Sequence, residues 1–440
     1  MLRRKIDTTL IKWKNNGNRL PLIIFGARQI GKTTSILNFG YGNYQSVVYI
    51  NFVSNPEYKD IFQSFDADEI VKRITAINTS VRIIPNSTLI VFDEIQEYMN
   101  ATTSLKFFAL NGKYDVICSG SALGINNQAI SSVSVGYKEE VIMHSMDFEE
   151  FLWAKGYDDD FVASLLKNMV DLTPLDNAIY YKLTDLFYEY ILVGGYPRIV
   201  NEFVTKNNFS NILSMQKRIY DDYKDDLSKY LVGLDIAKAQ KVYGSITYQL
   251  AKDNHKFQFT KLGHGARFSS YYGVVNWIKN AGIILTANGL DALDLPLAAY
   301  SNDTNFRVYF SDLSLLIASL DEEAQIDLRV KKNLGIYSGA IFENILAESL
   351  TKQGYELYFY RSNDAETELD FVLRFKNSIL PIEVKSKKGK SVSLNTVILN
   401  NSIIETGIKF SANNIGATDK IKTFPYFLSF LLRKYIEKVR

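Results

Sequence analysis

Residues 21–36 read PLIIFGARQIGKTTSI, and this stretch decides how the first third of the chain folds. Pro21–Phe25 is a short apolar run ending at Gly26, and the residues after Lys32 recur with helical spacing, so the order is strand, glycine turn, helix. Gly26–Thr33 satisfies G-x-x-x-x-G-K-[ST]. Average residue frequencies would produce that pattern by accident in roughly one chain of this length in seventy, so the match counts as evidence. The backbone amides of Gly26, Ala27, Arg28, Gln29, Ile30 and Gly31, continued by Lys32, Thr33 and Thr34 at the helix N-terminus, can enclose phosphate oxygens. Lys32 would reach the β and γ phosphates as a point charge, Thr33 would offer its hydroxyl to magnesium, and Gly26 and Gly31 permit the close backbone approach.

Downstream, TLIVFDEIQE (88–97) is a buried-type strand that ends in two acids. Asp93 at a strand's carboxyl end fits a direct or indirect magnesium ligand, and Glu94 fits the carboxylate that polarises an attacking water. The pair points to ATP hydrolysis rather than nucleotide binding alone. Short apolar runs at 46–52, 114–120 and 139–144 alternate with polar or helical segments, which predicts a mostly parallel sheet covered by helices on both faces. The second of these strands ends in Cys118-Ser119-Gly120-Ser121, placing a hydroxyl where it could sense the γ-phosphate; Ser119 is our candidate, although sequence does not separate it from Ser121. For positive charge at the transition state, Arg28, Arg198 and an arginine from a neighbouring subunit all stay open.

The remaining composition narrows the chemistry. The chain has 440 residues, 47% hydrophobic and 22% charged, which suits several buried cores and excludes a disordered or fibrous protein. Fifty basic against 48 acidic residues leave a net charge of +2, so the molecule as a whole is no obvious polyanion binder. One cysteine and three histidines are too few for a disulfide framework or a zinc site. Carboxylates, lysines and backbone amides must do the work. No apolar run approaches the ~20 residues that span a bilayer, and the basic start lacks a signal-peptide core, so we read the chain as cytoplasmic with no membrane partner.

Four regions are expected: the phosphate-binding core over 1–145, a helical lid and connector over 146–235, a winged-helix-like domain over 236–330 and an α/β domain over 331–440. In the third, helical patterns precede two strand-like runs, with a candidate recognition helix at about 268–281. Lys261, Arg267 and Lys279 with Tyr271 and Tyr272 lie on or beside it, a basic and aromatic set suited to DNA. The closing FPYFLSFLLRKYIEKV reads as an amphipathic helix packed on the last domain.

Taken together, GARQIGKTT (26–34), LIVFDEIQ (89–96), SGSAL (119–123), MDFEEFL (146–152), GGYPRIV (194–200), FSDLSLL (310–316), GAIFENILAESL (339–350) and ELDFVL with PIEVKS (368–386) resemble bacterial and archaeal AAA-type ATPases that carry a C-terminal domain of unknown function 4143. The resemblance implies a P-loop ATPase with a helical lid, a winged-helix-like middle and a C-terminal fold similar to restriction-endonuclease-like nucleases. One departure stands out: members usually carry Gly-Arg before the MDFEEFL-like segment, where this chain has Val135-Gly136-Tyr137.

Nucleases of the P-D/E-x-K type place an acid on one strand and an acid, any residue and a lysine on the next. Residues two apart on a strand share a face. Asp370 followed by Glu383 and Lys385 meets that condition, with Glu343 on the preceding helix. Three carboxylates, Glu343, Asp370 and Glu383, could hold magnesium, with Lys385 orienting the nucleophile. Glu-x-Lys alone is weak; Glu57-Tyr58-Lys59 is a second instance with no role. The run 385–390 (KSKKGK) could contact a phosphate backbone or simply be a solvated loop.

Two functions compete. In one, an ATP- and magnesium-dependent ATPase controls a nuclease-like domain acting on DNA. In the other, a nucleotide-switched regulator recruits a protein partner, or a second copy of itself, through a nuclease fold that does not cleave. A small-molecule kinase fits less well, because the Asp-Glu strand end favours water as the acceptor.

Overall fold

The computed structural model describes residues 2–121, 135–231, 233–251, 256–330, 337–362, 367–385 and 391–439. The chain divides into two compact units, Met1–Ser145 with Asn280–Gly282, and Met146–Lys279 with Ile283–Arg440.

The first unit is built on five parallel strands, β1 (Leu22–Gly26), β2 (Ser46–Asn51), β3 (Thr88–Asp93), β4 (Asp115–Ser121) and β5 (Glu139–Ile142), in the order β2-β3-β4-β1-β5. Every residue of β3 is buried, as its unbroken apolar run requires of a strand covered on both faces. Helices α1 (Lys5–Asn15), α2 (Lys32–Asn43), α3 (Ala67–Ile77) and α4 (Met99–Asn111) supply the cover. On one face Ile50, Phe92, Val116 and Cys118 form a core with Ile70 and Ile74 of α3 and Leu105 and Phe108 of α4, while α2 packs on β1, β3 and β4. Burial pushes the Cys118 thiol far above its ordinary range, so it is an inert core residue. The register aligns the strand ends that matter, pairing Asn51 with Asp93, Phe92 with Cys118 and Gly26 with Ser121.

The second unit starts with helices over Phe148–Ala154, Asp159–Val170, Asn177–Val193, Pro197–Lys206 and Ile212–Tyr230. Two sheets follow. Strands β6 (Ile284–Leu290) and β7 (Ser301–Phe310) form the antiparallel hairpin expected of a wing, yet the hairpin does not end a domain. β6 pairs in parallel with β8 (Tyr358–Arg361), and β8 with β9 (Glu368–Leu369), giving the order β7-β6-β8-β9. One sheet therefore crosses the expected boundary between 330 and 331. Local patterning shows which residues extend, and partner choice is settled only where apolar faces meet. The other sheet, in the order β10-β11-β12-β14-β13, comprises β10 (Phe371–Phe375), β11 (Ser378–Val384), β12 (Gly407–Ser411), β13 (Gly416–Thr418) and β14 (Ile421–Pro425).

The chain's end also differs from expectation. It runs from β14 into a short 3-10 turn over Tyr426–Leu431 and a helix over Leu432–Lys438. All six residues of the turn are buried, so burial all round replaces the one-sided face of an amphipathic helix. No helix of the described residues is long and apolar enough to cross a membrane.

Candidate functional site

The loop between β1 and α2 owes its path to three backbone facts. A Cβ at Gly26 would lie 2.3 Å from the Met143 carbonyl oxygen and 2.6 Å from the Ile30 side chain, so only glycine fits. Gln29 and Gly31 take positive φ, 62° and 90°, which turns successive amides into a concave nest suited to anions. The buried Arg4 holds the loop from beneath, its guanidinium donating to the Ile30 and His144 carbonyls at 2.8 Å each. Arg4 escaped the sequence reading because a basic N-terminal residue carries no local sign of a distant carbonyl partner.

Lys32 is 8% exposed, and its ammonium donates to the Gly26 and Ala27 carbonyls at 3.0 and 2.7 Å. Burial pushes it down to about 8, against the opposing pull of Glu94 and Asp93. Thr33 donates to both oxygens of Asp93 at 3.1 and 3.2 Å. The Asp93 carboxylate also accepts the Tyr49 hydroxyl at 2.6 Å, the Asn51 amide at 3.0 Å and the Ser119 hydroxyl. Tyr49 and Asn51 reach it because residues two apart on β2 share a face and Asn51 sits in register with Asp93. Sequence did not single them out, since an isolated Tyr and Asn on a strand have many roles.

Of the two serines left open, Ser119 touches Asp93, whereas the buried Ser121 hydroxyl has no partner among the described residues. Glu94 sits in the left-handed region at φ 56°, a conformation that costs a non-glycine residue about 1 kcal/mol or more and concentrates at functional sites. Its carboxylate accepts the Gln96 amide, and the Gln96 carbonyl accepts the Ser121 backbone amide at 3.2 Å. Gln96 thus braces Glu94 against the end of β4.

Lys32, Thr33, Asp93, Glu94 and Ser119 are brought together at the carboxyl ends of β1, β3 and β4. Ala27, Arg28 and Gln29 form the loop; Ile30 is buried within it and Thr34 is exposed on α2. Arg28 lies close enough to help depress Lys32. Arg198 is the second residue of the helix Pro197–Lys206 of the second unit. At 135–137 no arginine is present, and the Tyr137 ring takes the Lys106 ammonium at 5.1 Å. The Thr33 hydroxyl and Asp93 carboxylate are adjacent hard oxygen donors, a set that fits magnesium.

The C-terminal set is arranged differently from its expectation. Asp370 lies at the break between β9 and β10, which belong to different sheets, and accepts the Val384 amide at 2.7 Å. Lys385, just past β11, pairs with Glu383 at 2.7 Å. Glu343 points at Arg307 of β7, with Nη1 2.7 Å from its Oε1, and also accepts the Tyr309 hydroxyl. Arg307 further pairs with Glu368 and approaches Asp370 at 3.9 Å. Burial and Glu343 raise the Asp370 carboxyl to about 7, against the pull of Arg307. Among the described residues no group of three His, Cys, Asp or Glu side chains is placed to hold a metal. For the expected magnesium set of Glu343, Asp370 and Glu383, the spacing did not anticipate what stands beside it: a guanidinium lies among these acids, and Glu383 faces Lys385. Residues 386–390 of the basic run lie outside the described residues. On the helix Phe268–Asn280, Tyr271 is buried against Phe259 and so unavailable for base stacking, while Lys261, Arg267 and Lys279 are exposed.

A second polar cluster was not anticipated, although segments from 146, 194, 310 and 339 converge on it. Asp312 caps the helix Leu313–Ser319 through the Ser314 amide at 2.8 Å and accepts the Gly195 amide at 3.1 Å. Beside it Glu348 accepts Tyr190 at 2.9 Å and pairs with Lys352 at 2.6 Å. Burial pushes Glu348 up to about 7, with Asp312 adding to the shift and Lys352 and the Tyr190 hydrogen bond opposing it. A carboxyl whose folded value is raised favours the folded state below its ordinary value of 4.5, and that contribution is lost as pH rises through about 7. The full span corresponds to about 3 kcal/mol. Thermal unfolding should therefore show a melting temperature falling between pH 5 and 8, and Glu348→Gln should flatten that slope.

Comparison with known families matches residues 18–152 to an AAA domain, 184–325 to domain of unknown function 8612 and 338–421 to domain of unknown function 4143. No functionally curated protein matches the chain. Among solved structures, a Walker-type ATPase of Pyrococcus abyssi is 13% identical over 72% of this chain and 96% of its own, with a TM-score of 0.42. The Aeropyrum pernix ORC1 protein in complex with DNA is 11% identical over 74% of this chain and 91% of its own, at 0.29. The Thermotoga maritima RuvB Holliday junction branch migration motor is 12% identical over 64% and 89%, at 0.30. By these matches the chain carries an AAA domain over residues 18–152 and a domain of unknown function 4143 over residues 338–421.

Proposed function

We propose that the protein is a magnesium-dependent ATPase whose nucleotide state switches what its second unit binds. One observation carries the reading: a glycine-constrained phosphate loop with Lys32 beside an Asp93–Glu94 strand end, in which Asp93 is hydrogen-bonded to Thr33 and Glu94 is separately braced by Gln96. Loop amides and Lys32 would hold the phosphates of ATP, Thr33 and Asp93 would hold magnesium, and Glu94 would orient and deprotonate water. Magnesium, when bound, would neutralise phosphate charge and align the β and γ oxygens. ATP turnover by the purified chain tests this. Wild type should hydrolyse ATP, and Lys32→Ala should lose nucleotide binding by at least about tenfold, read by titration with a fluorescent ATP analogue. Equal binding by the two would refute it.

A second reading, cleavage of DNA by the C-terminal domain, is favoured by the closeness of Asp370 to β11, where it accepts the Val384 amide next to Glu383. The guanidinium of Arg307 among the same acids weighs against it. Plasmid incubated with magnesium or manganese, with wild type, Asp370→Ala and Lys385→Ala compared, separates the two: cleavage lost in both variants would establish the second reading. DNA or a protein partner, or a second copy of the chain, is then distinguished by salt-dependent DNA binding against nucleotide-dependent capture of protein.

A further inference from the structure

Two cations of the fold, Arg307 and Lys385, already stand among the acids that a nuclease of this kind would give to a metal. Arg307 is 1% exposed, and four features fix its guanidinium. Nη1 lies 2.7 Å from Glu343 Oε1 and 3.9 Å from Asp370 Oδ1, Nη2 bonds Glu368, and the plane sits over the Phe359 ring at 4.2 Å. Tyr309, two residues along β7 and on the same face, donates to the same Glu343 oxygen. The remaining acid, Glu383, gives one oxygen to Lys385 at 2.7 Å.

We propose that Arg307 is the resident cation of this carboxylate cluster, so that the C-terminal domain is built around a guanidinium and takes no divalent metal at Glu343, Glu368 and Asp370. A divalent ion on Glu343 Oε1 would stand within about 5 Å of the guanidinium, a like-charge approach that a dry interior penalises heavily. Arginine suits the position because its planar fork bonds several carboxylates at once and it does not lose its proton. The arrangement also has a mechanical result. Arg307 comes from β7, Glu343 from the helix Ser338–Lys352 and Glu368 from β9, so one side chain ties together three segments far apart in sequence. The domain then acts as a charge-stapled binding fold rather than as a metal-dependent nuclease. The inference is independent of the ATP site.

The test has two measurements on the full chain without nucleotide. In manganese titrations followed by the electron paramagnetic resonance signal of the free ion, wild type, Glu343→Gln and Asp370→Asn should give superimposable isotherms. A saturable site in wild type that is lost in either variant would overturn the proposal. In thermal unfolding, Arg307→Met should lower the melting temperature by on the order of 10 °C, because it strands buried carboxylates, and adding Glu343→Gln should recover part of that loss. Simple additivity of the two substitutions would also overturn it. If Arg307→Met fails to fold, Arg307→Lys, which keeps charge without the fork, should unfold at an intermediate temperature, and an unchanged melting temperature would count against the proposal.

Discussion

Glu94→Gln is expected to reduce ATP turnover by about 10²- to 10³-fold while leaving nucleotide affinity within a few-fold of wild type. The substitution is nearly isosteric, so the left-handed turn at residue 94 and the bond with Gln96 are kept in shape, but an amide does not take a proton from water. Lys32, Thr33 and Asp93, which under the proposed function would hold the phosphates and the magnesium, are untouched. The two readouts are single-turnover release of inorganic phosphate and equilibrium binding of a fluorescent ATP analogue. Turnover equal to wild type would remove Glu94 from the chemistry. Gln96→Ala supplies the intermediate case. Without the amide that holds Glu94 Oε2, the carboxylate keeps its base strength but loses its fixed direction, so a loss of about tenfold in turnover is expected at unchanged affinity. That split distinguishes a brace from a base.

Gly194→Ala is expected to destabilise the second unit by at least about 3 kcal/mol, seen as a large fall in melting temperature or as failure to accumulate soluble protein. Gly194 has φ 72° and ψ −165°, a region that is essentially reserved for glycine. A Cβ there would lie 1.9 Å from the Ser314 hydroxyl oxygen and 2.6 Å from the Ser314 amide nitrogen. Neither atom can retreat cheaply. The amide is held by Asp312 at the start of the helix Leu313–Ser319, and the hydroxyl donates to the Val193 carbonyl at 3.0 Å. Gly195 is similarly confined, with a Cβ 2.2 Å from the Met146 carbonyl oxygen. Ser314→Ala should restore part of the loss by removing the nearest atom. No recovery at all would place the main cost in the backbone conformation.

Much of the first unit was legible from residues alone. The phosphate loop, the acids ending β3 and the alternation of strand and helix are local signals, since each depends on residues that are neighbours in sequence. What escaped was every contact that required knowing which strand lies beside which. Tyr49 and Asn51 serve Asp93 only because β2 pairs with β3 in that register, and Ser119 was separated from Ser121 only by its place along β4, which sets its hydroxyl against Asp93. Arg4 holds the loop across a span of 140 residues to His144. The C-terminal cluster shows the same limit more sharply. Glu383 and Lys385, two apart in sequence, pair with each other, and Glu343 lies close enough to Asp370 to help raise its carboxyl. The residue that alters their meaning, Arg307, lies upstream in a strand that patterning assigned to another domain.

The sequence by itself determined that this chain has a phosphate-loop motif and an acid pair at a strand end, that its one cysteine and three histidines are too few for a thiol or imidazole metal site, and that an α/β region follows at the C-terminus. Those properties reside in short motifs and in composition. Tertiary structure alone decided that a single sheet joins the wing hairpin to the C-terminal strands, that the segment around Gly194 and Gly195 docks on Asp312, and that a guanidinium sits among the C-terminal acids. The physical reason is common to all three. Long-range pairing and charge compensation are settled by which surfaces meet when the chain closes, and a carboxylate accepts a buried arginine or a metal ion with no change in its own local sequence.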